Sequence, residues 1–124
     1  MTEYNIILDD DLISRQTPEG FLRFVTGRDL IAFMHEHPNA RIKNITFDND
    51  LGLGLPEGYD IVKTMVSENW SVQNINLHSA NIVAVQNMKS FILSASKAGV
   101  FHFNNLSTYN LILYTYNLHP ISDD

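Results

Sequence analysis

Asp9 and Asp10 close one short apolar run, Asp48 and Asp50 close another, and His78-Ser79-Ala80-Asn81 closes a third. Four carboxylates brought together are hard to explain as packing. Two unit charges ~4 Å apart repel by about 4 kcal/mol at an effective dielectric of 20. A cation must balance them, or some must take up protons at a raised pKa. Oxygen donors of this kind suit a hard ion, and Mg²⁺ typically takes one or two carboxylates and keeps several waters. Asp48 and Asp50, two positions apart at a strand end, can point the same way. His78-Ser79-Ala80-Asn81 joins a strand to a helix start, where free backbone N–H groups favour an anion. Opposite the acidic pairs, His78 can hydrogen-bond a phosphate or act as a general acid or base. Each residue alone has a plainer use. Strand-end aspartates form turns, Ser79 or Asn81 caps a helix, and a lone histidine can be satisfied in a core.

These groups matter only if the fold brings them together. Tyr4 to Leu8 reads as a buried strand stopping at Asp9-Asp10-Asp11, and Leu12 to Gly20 as a loop broken by Pro18 and Gly20. Phe21 to Val25 is a short strand. Thr26 is placed to cap a helix with Asp29 in its first turn, Leu30, Phe33, Met34 and His37 on one face, and Pro38 at its end. Ile42 to Phe47 is the next strand. A helix from about Gly58 turns Ile61, Val62, Met65 and Val66 inward, and Val72 to Leu77 is a strand ending at His78-Ser79. A third helix begins at Ser79-Ala80-Asn81. It carries Ile82, Val85, Met88, Ile92 and Ala95 at helical spacing, with Gly99 as its left-handed terminal residue. Val100 to Phe103 and Leu111 to Tyr116 are both strand-like, and either completes the sheet.

Strands alternating with helices imply right-handed crossovers and a mainly parallel sheet. Ligands of such sheets bind beyond the carboxyl ends of the strands. Both acidic pairs and His78-Ser79 stand at those ends, so residues about thirty and forty positions apart converge on one crevice.

Composition narrows the classes. The 124 residues fit a single domain, and 44% hydrophobic content supports a core without disulfide or metal. The absence of cysteine removes thiol catalysis and thiolate metal sites. Net charge is −6, with eight scattered Lys and Arg against fourteen Asp and Glu, so no basic stripe serves non-specific nucleic-acid binding. The N-terminus has no basic lead and no segment approaches a membrane span, so a cytoplasmic location is expected. Gly52-Leu53-Gly54 lacks the trailing Gly-Lys-Ser/Thr of a phosphate loop. Tyr109, Tyr114 and Tyr116 read as part of an ordinary strand.

Leu8-Asp9-Asp10, Phe47-Asp48-Asn49-Asp50-Leu51-Gly52, Gly58-Tyr59-Asp60 and His78-Ser79-Ala80-Asn81 followed by Met88 together resemble the cyclic-phosphate processing receiver domain family, a divergent relative of response-regulator receivers. The resemblance covers about residues 4 to 98. It implies a flavodoxin-like three-layer sandwich with a mainly parallel sheet of order 2-1-3-4-5. The first crossover helix is reduced, and residues 100–124 form an extension with an extra strand segment. By similarity Asp9, Asp10 and Asp48 hold Mg²⁺ or Mn²⁺. Asp48 matches the receiver phosphoacceptor and Ser79 its hydroxyl residue, whereas His78, Asp50 and Asn81 match the features that set this family apart. Asp48, Asp50 and His78 are then the expected catalytic residues, with Asn49, Ser79 and Asn81 as substrate contacts.

Three functions follow as expectations. One is a metal-dependent phosphoesterase acting on a cyclic or terminal phosphate of a small nucleotide or RNA end. Another is a module that binds such a phosphate, or a partner protein, without turnover. The third, a signalling phosphoacceptor, is disfavoured because no lysine matches the receiver lysine that stabilises the phosphorylated state.

Overall fold

The computed structural model describes residues 3–9, 17–48, 57–79 and 82–110. Within them run β1 (Glu3–Asp9), β2 (Leu22–Phe24), α1 (Gly27–Glu36), β3 (Arg41–Asp48), α2 (Glu57–Ser67), β4 (Ser71–Ser79), α3 (Ile82–Lys97) and β5 (Asn105–Asn110). The five strands form one sheet of order β2-β1-β3-β4-β5, parallel at every pairing. This is the flavodoxin-like order of a receiver fold. From β2 to β5 each crossover steps the same way across the sheet, so right-handedness places all three helices on one face. They lie side by side there, α1 against α2 and α2 against α3.

Sequence periodicity explains which side of each element meets the core. Ile6 and Leu8 of β1, Ile42, Ile45 and Phe47 of β3, Val72, Ile75 and Leu77 of β4, and Leu106 of β5 turn toward the helices. They meet Leu30 and Met34 of α1, Ile61, Val62, Met65 and Val66 of α2, and Val85, Met88, Ile92 and Ala95 of α3. Thr26 caps α1 as expected, its hydroxyl accepting from the Asp29 N–H at 3.2 Å. The ends of α2 and α3 share one device. In α2 the Trp70 N–H donates to the Met65 carbonyl and the Asn69 N–H to Val66, with Asn69 at φ 52°. In α3 the Val100 N–H donates to Ala95 and the Gly99 N–H to Ser96, with Gly99 at φ 77°. Both are six-to-one closures around a left-handed residue, which satisfy helix-end carbonyls and turn the chain back toward the sheet.

Two sequence expectations are corrected. Val100 to Phe103 is not a strand, and β5 lies between the two candidate segments. After the turn at Gly99 the chain must still travel to the level of Asn74, where Asn105 first pairs with β4. Phe101 is fully buried on the way and lies beside Phe103, ring centroids 6.2 Å apart and planes tilted by 34°. The apolar residues of this segment therefore anchor a connection, with Val100 left exposed. Ile82 does not join the inner face of α3 either. It is 56% exposed, as is its neighbour Val83 at 65%, so the first turn of the helix runs past the core and Val85 is its first buried residue. Residues 17–20 are irregular, in line with a loop before β2. The rest of that loop, the strand-like Leu111 to Tyr116, and the remainder of the extension lie outside the described residues. No helix among the described residues is long and apolar enough to cross a membrane.

Candidate functional site

The face of the sheet turned away from the helices is polar, and its register carries the site. Asn5, Asn44, Asn74 and Asn105 stand in one row across β1, β3, β4 and β5. Asn44 Nδ2 donates to Asn5 Oδ1 at 2.9 Å, and Asn105 Nδ2 to Asn74 Oδ1 at 2.7 Å. Two residues further toward the carboxyl ends, Ile7, Thr46, Asn76 and Ser107 form the next row. The third row is Asp9, Asp48, His78 and Tyr109. Of the residues expected to converge, Asp9, Asp48 and His78 thus stand in a single line set by strand pairing.

Asp9 is the last residue of β1 and is 1% exposed, while His78, one residue before the end of β4, is 4% exposed. Each follows a residue that faces the helical core, Leu8 and Leu77, so strand alternation turns both side chains to the polar face. Asp48 is described by its backbone. Its Cα is the register partner of Asp9 on one side and of His78 on the other. Ser79, also described by its backbone, ends β4 opposite Asn110. Asp10, Asn49, Asp50 and Asn81 lie outside the described residues, so the structure brings Asp9, Asp48, His78 and Ser79 to one sheet end.

Arg23 is the partner that sequence reasoning missed. On β2 it pairs with Ile7, on the same side of β1 as Asp9 by alternation, and its side chain leans toward the strand end. Nη2 lies 3.5 Å from Asp9 Oδ2 and donates to the Asp9 main-chain carbonyl at 3.3 Å. The Arg23 side chain is only 13% exposed, so this ion pair is largely out of water. One signal was present in the sequence. Arg23 is the lone charge in the otherwise apolar Phe21-Leu22-Arg23-Phe24-Val25, and a buried charge needs a partner.

Among the described residues no three His, Cys, Asp or Glu side chains gather at metal-holding distance. Two strand-end aspartates nevertheless stand in adjacent register, and carboxylate oxygens fit a hard divalent ion. Asp10, the third member of the expected set with Asp9 and Asp48, follows Asp9 directly in the chain. Asp9 enters it already engaged by a guanidinium.

A cleft of about 750 Å³ lies elsewhere, at the amino ends of β3 and β4, lined by residues including Met34, His35, Arg41, Glu68 and Trp70. It is at the opposite end of the sheet from the aspartate row. Its polar groups are already tied together. His35 Nε2 bonds both Glu68 carboxylate oxygens at 2.9 and 3.1 Å, and Trp70 Nε1 donates to Glu68 Oε1 at 3.0 Å. That network fastens α1 to the turn between α2 and β4. Asp9, Asp48 and His78 are at the other end, where open parallel sheets place their ligands.

Comparison with curated proteins and with solved structures gives no match. Residues 4–94 match the family described as the cyclic-phosphate processing Receiver domain, a span that includes β1 through most of α3 and every residue of the expected site. The chain belongs to the cyclic-phosphate processing receiver domain family.

Proposed function

We propose that this protein binds, with a divalent metal ion, a cyclic or terminal phosphate on a nucleotide or RNA end, and hydrolyses it. One observation carries the reading. Asp9, Asp48 and His78 are register partners across three adjacent strands at the carboxyl end of a parallel sheet. With strands ~4.8 Å apart, this line spans about 10 Å from Asp9 to His78, room for a phosphate between an acidic end and an imidazole end.

Asp10 and Asp48, with Asp9 beside them, would hold Mg²⁺ or Mn²⁺. Such an ion, when bound, supplies charge stabilisation to phosphoryl oxygens and orients water. His78 moves the proton through a ring nitrogen, as base toward the attacking water or as acid toward the leaving oxygen. Its burial favours a defined ring orientation. Asp50 is assigned to support that transfer. Ser79 and Asn81, at the strand-to-helix junction where backbone N–H groups favour an anion, are assigned to the phosphate oxygens together with Asn49, which follows β3. The family's name supports the substrate class, and the acidic row supports the metal.

The test is a screen of 2′,3′-cyclic and 3′,5′-cyclic nucleotides with Mg²⁺ or Mn²⁺ present, read for both binding and product. Metal-dependent formation of a nucleoside monophosphate is the expected result. Binding with no product at any metal concentration would replace hydrolysis by a non-catalytic phosphate-binding module. No binding of either class would remove the proposal.

A further inference from the structure

We propose that Arg23 is the resident counter-cation of Asp9, fixing that carboxylate in the acidic row and setting how tightly the row takes a divalent ion. The metal half of this inference rests on the metal-binding reading above; the ion pair itself does not.

The geometry is particular. A single guanidinium nitrogen reaches both ends of residue 9, its main-chain carbonyl at 3.3 Å and its carboxylate at 3.5 Å. It thereby ties the side-chain direction of Asp9 to the end of β1. The pair forms between two strands whose pairing is short, Ile6 to Leu8 against Leu22 to Phe24, so β2 is placed where its one charge meets the carboxyl end of β1. Asp9 and Arg23 are both withdrawn from solvent, where charges act on one another far more strongly than at a surface. An acidic row with a built-in cation at one end has less residual negative charge to offer a metal. Arg23 therefore acts through Asp9, as a positioning residue, and it opposes a divalent ion at the same carboxylates.

The experiment combines two readouts on Arg23→Gln, Arg23→Lys, Asp9→Asn and the double variant Arg23→Gln/Asp9→Asn. Urea unfolding with chelator present gives the coupling between the two positions in metal-free protein. Mn²⁺ titration by calorimetry gives metal affinity. Each single neutral variant is expected to be destabilised, with the double variant less so than the sum, because either single substitution already removes the attraction between the two positions. Mn²⁺ is expected to bind Arg23→Gln roughly tenfold more tightly than the parent, since a nearby positive charge has been removed. Arg23→Lys, which keeps the charge but not the fork, is expected within about threefold of the parent.

Additive stabilities would overturn the ion pair. Mn²⁺ affinity unchanged or weakened in Arg23→Gln would overturn its control of the metal. Should Arg23→Gln not fold, recovery of folding in the charge-neutral double variant shows the coupling, its failure to fold overturns it, and Mn²⁺ affinity of the double variant against Asp9→Asn alone gives the effect of the Arg23 charge on the metal. If no protein in the series binds Mn²⁺, the metal reading fails together with Arg23's effect on it, while the unfolding cycle still decides the pair.

Discussion

Asp9 and His78 share one row of the sheet two strands apart, with Asp48 between them as the register partner of both. Residues 39 and 30 positions apart in the chain become neighbours because three parallel strands end level with one another. Flanked by the Arg23 cation on one side and the Tyr109 backbone on the other, this row is the structural basis of the proposed activity.

The connection into β5 gives a sharp packing test. Phe101→Ala should lower stability by about 3–5 kcal/mol, the usual cost of emptying a buried aromatic site. Val100→Ala, one residue earlier and exposed, should stay within ~0.5 kcal/mol. Urea unfolding of the two variants measures the contrast, and a comparable loss in both would mean that Val100 is packed in the core beside Phe101.

Stability should depend on pH through Glu68. Its hydrogen bond with His35, then that from Trp70, hold its carboxyl below the usual glutamate value. A carboxyl depressed in the folded state adds stability that is fully present above the unfolded value of about 4.3 and is lost as pH falls through the folded value. The side chain is partly open to water, so the effect is small. The stability gap between the parent and Glu68→Gln, followed by thermal melting from neutral pH to about pH 3, should narrow below the ordinary glutamate range. A gap that widens on acidification would reverse the sign of this coupling.

Much of this architecture was legible in the sequence because it is written in local periods. Ile61, Val62, Met65 and Val66 recur at helical spacing and all are buried, and Thr26 caps the helix it precedes. The carboxyl ends of β1, β3 and β4 were legible as apolar runs stopping at charged or polar residues. What escaped were relations across strands. Arg23 finds Asp9 only through the Ile7–Arg23 register, and nothing near Arg23 in the chain specifies that pairing. The start of β5 is fixed by where Asn74 stands in β4, so composition alone pointed to the more apolar segments on either side. His35, Glu68 and Trp70 likewise meet only when α1 packs beside α2.

Metal should stabilise the folded protein. Mg²⁺ or Mn²⁺ at a hundredfold excess over its dissociation constant is expected to add about 2.7 kcal/mol if it binds the native state alone, and to raise Tm accordingly. Asp10→Ala should lose most of that shift. A parent protein whose Tm does not move at millimolar metal would remove the metal from the proposed mechanism.

The most direct measurement is turnover and affinity for a 2′,3′-cyclic nucleotide in His78→Ala beside the parent, with thermal melts of both. The variant is expected to keep the fold at a cost of ~0.5–3 kcal/mol. It should bind the nucleotide nearly as the parent does and lose roughly 10²- to 10⁴-fold in kcat. A folded His78→Ala protein that turns over the nucleotide at the parent's rate would contradict a catalytic role for the Asp9, Asp48 and His78 row.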